Sequence, residues 1–455
     1  MDTLVQVVTT AFWGLLLLSA LVFLHEGGHF LAARACGVRV TEYFLGLPCR
    51  FNLSYTSKRI GTKFGITPIL LGGYAMICGM DPTSSPMAPA VLTFVHRRGT
   101  ATLSDIAQEL NCSEDEALEA CMQLMEWGSI APARNAVSED SNLDDSYPSA
   151  FAAVSRDATG ATIFDGRRFD RAHATREGEP WQPPMDENAF FEFEKSRTYI
   201  GKGFWPRAFM LVAGILVNLI TGLLLLMSIY SLVGVEVTVN ENIVGSVEAG
   251  SAAEAAGLMP GDEIISIDGV ETQTWTDVYN AIQSATGAGS FEITFIQDEA
   301  QHSATVELEE GEMLGIGVPT QVVRLNPVDS ARLSISYVVE TARSILDLFN
   351  PQHTMEMLEN TTSIVGISVM SAQAAAQGPT TFLMLAALIS FSLGLMNLLP
   401  IPPLDGGKLI IEIIQAVTRR EVPLNVQSAI SYVGVALFLA LFVFVLRNDI
   451  IRFIL

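Results

Sequence analysis

The sequence predicts a polytopic α-helical membrane protein of about four spanning helices. A β-hairpin lies beside the first helix, a compact α+β domain follows the second, and a small helical insertion separates the two. Three observations predict this. The 455-residue chain is 49% hydrophobic but only 16% charged, with a mean hydropathy of +0.37. Its apolar residues gather into runs of bilayer length, near 7–32, 209–232, 382–399 and 429–446, separated by polar blocks. Basic residues are distributed unevenly around those runs: none precedes the first, whereas Arg34, Arg39, Arg50, Lys58, Arg59 and Lys63 follow it.

The first span occupies residues 1–35. It lacks a basic start, exceeds the apolar length of a cleavable leader and carries ionisable side chains, so it is expected to remain in the mature chain. Residues 36–80 contain two short alternating patterns, FNLSY and KFGITP, around the turn-like SKRIGT, which read as a membrane-associated β-hairpin. Within 81–135, PAVLTFVHRR, LSDIAQEL and EDEALEACMQLMEWGSI have apolar residues at helical spacing, with Ser104 and Ser113 as cap candidates. Their order resembles a small winged-helix module. Residues 136–200 are rich in Ser, Asp, Arg, Gly and Pro with little periodicity, and read as a flexible linker with an amphipathic lead-in to the second span at 201–236.

Residues 237–320 follow an α+β pattern, with a helix after Trp275 and strands FEITFIQ, SATVEL and MLGIGV; the stretch GLMPGDEIISIDG resembles a PDZ domain. Such a domain can bind a peptide as an added strand or act only as a gate excluding bulky substrates. Residues 321–378 hold two helical patterns of mixed polarity, expected to lie on the surface or to be partly buried. The third span, with NLLPIPPLDGG, covers 379–425, and the fourth covers 426–455.

The basic residues place 36–200 in the cytosol of a bacterial cell, with the N-terminus and the 237–320 domain outside; residues 233–323 contain no Lys or Arg. Lys408, Arg419 and Arg420 return the chain to the cytosolic side, although Arg447 and Arg452 lie on the expected outer flank. The formal net charge of -23 argues against a nucleic-acid partner. Cysteines 36, 49, 78, 112 and 121 all fall on or near the cytosolic side and imply no disulfide framework.

Chemistry concentrates in the first span. His25, Glu26 and His29 sit within AFWGLLLLSALVFLHEGGHFLA, where each ionisable group costs about 2.5–3.5 kcal/mol on insertion scales, so a bound cation or a reaction is expected there. Residues i and i+4 stack on one helix face, letting His25 and His29 offer imidazole nitrogens to one ion while Glu26 projects beside it. Hydrogen bonding between these side chains in a helical bundle is the bland alternative. Catalytic zinc takes three protein ligands, and Asp405 is the best third donor. His96 and His173 lie in the cytosolic block, and His302 and His353 on the far side. Pro400, Pro402 and Pro403 interrupt the helix, and Gly406 and Gly407 free the backbone beside the acid, as at an active-site wall. Alternatively, Asp405 caps the next helix after a closing turn.

HEGGH on the first span together with NLLPIPPLDGG on a later one resembles the site-2 protease family of intramembrane zinc metalloproteases, particularly its bacterial PDZ-containing branch. The resemblance implies Zn2+ as cofactor, His25, His29 and Asp405 as its ligands, and Glu26 as the catalytic carboxylate. It implies Asn397 as a contact to the substrate backbone or developing oxyanion. PILLGGYAMICG is similar to the family's glycine-pair segment, making Gly72 and Gly73 substrate-side residues. AGILVN resembles its second-span motif, with Asn218 as a substrate contact and Ile215 where the family usually has Pro.

The function implied is hydrolysis of peptide bonds within or near transmembrane segments, on substrates such as anti-sigma factors or signal-peptide remnants. A protein partner is expected for the cytosolic insertion, where acids outnumber bases. A helical substrate must be opened before attack, and the hairpin edge along Phe64 to Ile69 is expected to hold the opened strand. The competing reading is a membrane receptor or scaffold with a structural or inactive metal site. A zinc transporter would call for further acids and His on other spans.

Overall fold

A computed structural model describes residues 2–80, 84–133, 147–285, 290–307, 313–347, 350, 352, 362–420 and 422–453. It separates into two compact units, residues 1–225 with 335–455, and residues 226–334. His353 lies outside the described residues, as does much of the 348–361 stretch.

In the first unit, α1 runs Asp2–Ala35 over 34 residues, about 50 Å of helix, long enough to cross a bilayer and emerge on both sides. Four strands follow: β1 (Val40–Leu45), β2 (Leu53–Thr56), β3 (Lys63–Ile66) and β4 (Gly73–Ile77). They form one sheet in the order β2-β3-β1-β4, with β1 and β3 parallel. The expected hairpin is the β2–β3 half of that sheet. Because β3 pairs on both sides, the segment from Phe64 is not a free edge; the edges are β2 and β4. The sheet docks on α1 through Tyr43, whose hydroxyl donates to Phe23 O at 2.7 Å and whose ring stacks on Phe23 and Phe30.

The insertion builds α2 (Ala88–Arg98), β5 (Thr100–Thr102), α3 (Leu103–Leu110), α4 (Glu114–Glu126), β6 (Ile130–Pro132) and β7 (Ala150–Ala153) around buried Leu92, Ile106, Leu124, Trp127 and Phe151. Thr102 caps α3 and Ser113 caps α4, each reciprocated by the acid three residues on. Ser104, one of the expected caps, sits inside α3, because the Thr102 hydroxyl already accepts from Asp105 N.

The expected linker over 136–200 is corrected for its described part. β7 is fully buried and inserts between β5 and β6, two 3₁₀ turns follow at Ile163–Arg168 and Arg171–His173, and α5 (Glu187–Lys195) packs on α2. The sequence AFAA has no alternation because both its faces are covered, and its partners are remote in the chain.

A buried ionic network ties this module to the β1 end of the sheet. Arg39 reaches Glu194 at 2.6 Å and Asp165 at 2.9 Å, Arg156 reaches Glu194 at 2.9 Å, and the Ser129 hydroxyl donates to Glu194 at 2.6 Å. The Arg156 Nε donates to His96 Nε2 at 2.7 Å. Burial raises the Glu194 carboxyl, but Arg156 and Arg39 outweigh it and hold the group well below its usual range. Burial, then the Arg156 cation, pushes His96 down to about 3.

Glu194→Gln leaves two guanidinium groups short of charge in the interior and is expected to cost about 3–5 kcal/mol, read as an earlier denaturant midpoint in Trp fluorescence. An unchanged midpoint would show the network to be dispensable. The unfolded chain protonates His96 near pH ~6.5 and the folded chain only near 3, so stability should fall as pH drops below about 6.5.

The chain then enters α6 (Phe204–Ser228), whose apolar run continues in helical turns to Val233. The second unit, described by itself, begins with β8 (Val235–Thr238), β9 (Ser246–Val247) and α7 (Ala252–Ala255). Then come β10 (Glu263–Ile267), β11 (Val270–Glu271), α8 (Trp275–Ala285), β12 (Ser290–Gln297), β13 (Ala300–Glu307), β14 (Ile316–Gly317) and β15 (Thr320–Val323). Strands β11-β10-β12-β13 form one sheet, while β14 pairs with β9 and β15 with β8. Alternation in FEITFIQ places Phe291, Ile293 and Phe295 in the core, under Val278 of α8. Of MLGIGV only Ile316 and Gly317 are strand.

The remaining helices are α9 (Pro327–Asp347), α10 (Ile364–Gln377), α11 (Pro379–Asn397), α12 (Asp405–Thr418) and α13 (Leu424–Phe453). α10 is partly buried: a Cβ on Gly14 of α1 would come within 2.0 Å of the Ser368 hydroxyl and Ser371 is fully buried, while Ile364 and Met370 are exposed. Its N-terminus is capped by Asp449 of α13, which accepts from Ser363 N at 2.6 Å and Gly366 N at 3.2 Å. Among the described residues four helices are long and apolar enough to cross a membrane, at 4–35, 204–233, 379–397 and 425–449.

Candidate metal centre

The HEGGH segment occupies the C-terminal half of α1, where apolar residues before and after it keep the helix regular. Its imidazoles face α6 and the start of α12. His25 Nε2 and His29 Nε2 stand 3.1 Å apart, and Asp405 Oδ2 lies 3.0 Å from the first and 3.1 Å from the second. Residues separated by 380 positions thus share one point. His25 and His29 are 6% and 5% exposed, so the point is shielded from bulk solvent.

The break before α12 delivers the aspartate. Prolines 400, 402 and 403 stop α11 from continuing, and the chain turns back tightly enough that glycines are required. A Cβ at Gly406 would lie 2.3 Å from Leu398 O, and one at Gly407 2.4 Å from Pro402 N. Asp405 is the first residue of α12 and its carboxylate turns to both histidines; Leu404, with no side-chain cap, takes the N-cap position. Further along the same helix face, Glu412 is held by Tyr199 and Arg207, each at 3.2 Å, which anchors α12 to the entry of α6.

These donors suit a metal. Two ligands 2.0–2.1 Å from a tetrahedral zinc stand about 3.3–3.4 Å apart, close to the three separations observed. Two imidazoles and a carboxylate are also the N,N,O set that catalytic zinc accepts, leaving one position for water. His29 Nδ1 faces Met210 O at 2.7 Å, the kind of partner that orients a ligating ring and leaves Nε2 to coordinate.

Glu26 follows His25 and is only partly buried. Its Oε2 accepts from Ala75 N of β4 at 3.2 Å, so edge strand β4 directs a backbone amide toward the carboxylate. Gly73 lies at the start of β4, where a Cβ would sit 2.8 Å from Phe44 O and 3.5 Å from Phe23 Cα of α1. Gly72 holds φ +130, a conformation reserved largely for glycine. The pair therefore lets β4 lie against α1 beside the centre.

Asn397 bends back, its Nδ2 donating to Leu393 O of its own helix at 2.9 Å. Asn218 is 1% exposed, with its carboxamide nitrogen 3.3 Å from His25 Nδ1. Sequence reasoning did not single out Met210, whose contribution is a carbonyl, or Gly214. A Cβ on Gly214 would lie 2.4 Å from His29 Nε2. The only signal for Gly214 is its place four residues before Asn218.

The sequence model described as "Peptidase family M50" matches residues 13–441. The chain is 28% identical to "Zinc metalloprotease RasP" of Geobacillus kaustophilus over 459 residues, covering 96% of each chain. It is 28% identical to the protein of that name from Bacillus licheniformis, covering 96% of this chain and 98% of the relative. It is 25% identical to "Regulator of sigma-W protease RasP" of Bacillus subtilis, covering 98% of this chain and 99% of that one.

Proposed function

The chain belongs to peptidase family M50, and from that membership we propose that His25, His29 and Asp405 hold its zinc while Glu26 moves the protons of peptide hydrolysis. It is a zinc metalloprotease of the site-2 type, a membrane protein whose site is built from its own apolar helices. The observation that carries the ligand assignment is the meeting of His25 Nε2, His29 Nε2 and Asp405 Oδ2 within 3.1 Å of one another.

Zinc, when bound, polarises a carbonyl and makes water a nucleophile near neutral pH. Glu26 accepts the proton of the attacking water and returns it to the departing amine. Asn397 offers to the developing oxyanion the amide hydrogen that its bond to Leu393 O does not use. The β4 edge, with Gly72 and Gly73 keeping it close to α1, holds the opened substrate by strand addition; the Ala75 amide directed at Glu26 supports this over the β3 segment.

The substrates are transmembrane proteins or peptides, either anti-sigma factors or signal-peptide remnants; the name of the Bacillus subtilis relative, a regulator of sigma-W, favours the former. The second unit is read as a PDZ-type domain outside the membrane and residues 88–153 as a winged-helix-type module in the cytosol. The helix–strand–helix–helix–strand–strand order supports the latter. Its excess of acids over bases in the sequence suits a protein partner.

The full-length protein in detergent should cleave a single-span model peptide, lose that activity to a chelator and regain it with zinc. Cleavage indifferent to chelation would overturn the reading. Strand addition has a separate test on the substrate. N-methylation at alternate backbone positions around the scissile bond should slow cleavage about tenfold in one register and little in the other. Equal tolerance of both registers would remove β4 from the mechanism.

A further inference from the structure

We propose that Asn218 is the positioning residue for His25: its carboxamide oxygen accepts from His25 Nδ1–H, fixing the tautomer that leaves Nε2 free for the metal. The inference rests on the ligand assignment above and concerns what makes one of those ligands competent.

A neutral imidazole carries one proton, and coordination through Nε2 requires it on Nδ1. That N–H then needs an acceptor, since the ring is buried. His29 has one, Met210 O at 2.7 Å. Among the described residues, the side chain facing His25 Nδ1 is the Asn218 carboxamide, at 3.3 Å. With the amide nitrogen toward the ring, His25 Nδ1 would have to accept, placing the proton on Nε2, the atom 3.0 Å from Asp405 and 3.1 Å from His29 Nε2. The same orientation leaves Asn218 Oδ1 buried with no partner among the described residues, which costs on the order of 1–3 kcal/mol. Oxygen and nitrogen of an amide occupy nearly the same space, and a half-turn about the last side-chain bond exchanges them. That turn gives Oδ1 a donor, gives Nδ1–H an acceptor and directs the Nε2 lone pair to the centre.

The fold keeps the amide in place. The Ser390 hydroxyl of α11 donates to the backbone carbonyl of Asn218 at 2.8 Å, fixing the main chain that carries the amide, and Gly394 lies so close that a Cβ there would come within 3.3 Å of Asn218 Cβ. A substrate strand has little access to a side chain that is 1% exposed, which favours positioning over substrate contact. Gly214 and Asn218, four apart on α6, thus act on one face: the glycine makes room for the imidazoles and the asparagine orients one of them.

The test compares Asn218→Asp and Asn218→Leu in full-length protein, measuring zinc affinity by chelator competition and the absorption of the cobalt-loaded protein. Asp can accept from Nδ1–H and should bind zinc within about threefold of wild type, whereas Leu should bind about 10–100-fold more weakly with an altered cobalt spectrum. Wild-type affinity in the Leu variant, or equal weakening in both, would overturn the proposal. Should the Leu variant not fold, imidazole ¹⁵N NMR of the zinc-loaded wild type decides: a protonated Nδ1 on His25 is expected, and coordination through Nδ1 sinks it. His25→Ala separates this from the ligand assignment, because zinc retained at wild-type affinity in that variant refutes the assignment itself.

Discussion

Glu26→Gln is expected to bind zinc as tightly as wild type and to cleave a single-span peptide about 10²–10⁴-fold more slowly, the usual contribution of a positioned proton-transfer group. The argument is geometric. Gln retains an oxygen in the position of Oε2, so the Ala75 amide keeps its acceptor at the 3.2 Å contact and β4 keeps its place. What is lost is the ability to take a proton from water and deliver it to the amine. Asp405→Ala should behave differently, because it removes one of the three atoms that surround the metal point and should therefore lose zinc and activity together. The pair of variants separates the receptor reading from the enzyme reading, since a structural zinc needs no adjacent free carboxylate. Cleavage at the wild-type rate by Glu26→Gln, or zinc at wild-type stoichiometry in Asp405→Ala, would each remove one assigned role.

How much of this centre was readable from the chain depends on the range of the forces involved. His25 and His29 were readable because helix periodicity alone puts i and i+4 side by side, and the cost of charge in lipid singles them out. Asp405 was readable because helix-breaking prolines and a glycine pair at membrane depth demand a reason. Asn218 was found as a residue, but its relation to His25 arises from the crossing of α1 and α6, nearly two hundred residues apart, and no local pattern encodes it. Similarly, the β2–β3 hairpin was visible in alternation and turn residues, whereas the parallel pairing of β1 with β3, which hides the Phe64 segment and leaves β4 as the edge by Glu26, is a tertiary choice. In the insertion, α3 and α4 were announced by apolar spacing, and α4 also by its cap Ser113, whereas the cap of α3 is Thr102 rather than Ser104. β7 was not, because AFAA becomes a strand only between β5 and β6, and the Arg39–Glu194–Arg156 network joins groups scattered over a polar stretch that reads as linker.

Gly214→Ala should cost the protein its metal, and with it cleavage, through the addition of a single carbon. A Cβ at this position would lie 2.4 Å from His29 Nε2 and 2.8 Å from both His25 Cε1 and His29 Cε1, separations that non-bonded atoms do not tolerate. Neither ring can move away cheaply. His29 is tethered by Nδ1 to Met210 O on α6 itself, and His25 is bounded by Asn218 on the same helix, so rotating either imbalances its hydrogen bond as well as its donor direction. Moving the helices apart is equally obstructed, because they cross at glycine: a Cβ on Gly28 of α1 would lie 2.5 Å from Ala213 O, so this is a backbone-to-backbone contact of the kind small residues permit in membranes. Zinc affinity should therefore fall by about 100-fold or more, at or beyond the upper end of the effect of losing one orienting partner. Gly203→Ala serves as the control, since nothing lies within 4 Å of a Cβ there, and it should match wild type in both zinc binding and cleavage. Wild-type zinc affinity in Gly214→Ala would mean that the imidazoles do not press against α6 as described, and the tautomer argument for Asn218 would lose its geometric basis at the same time.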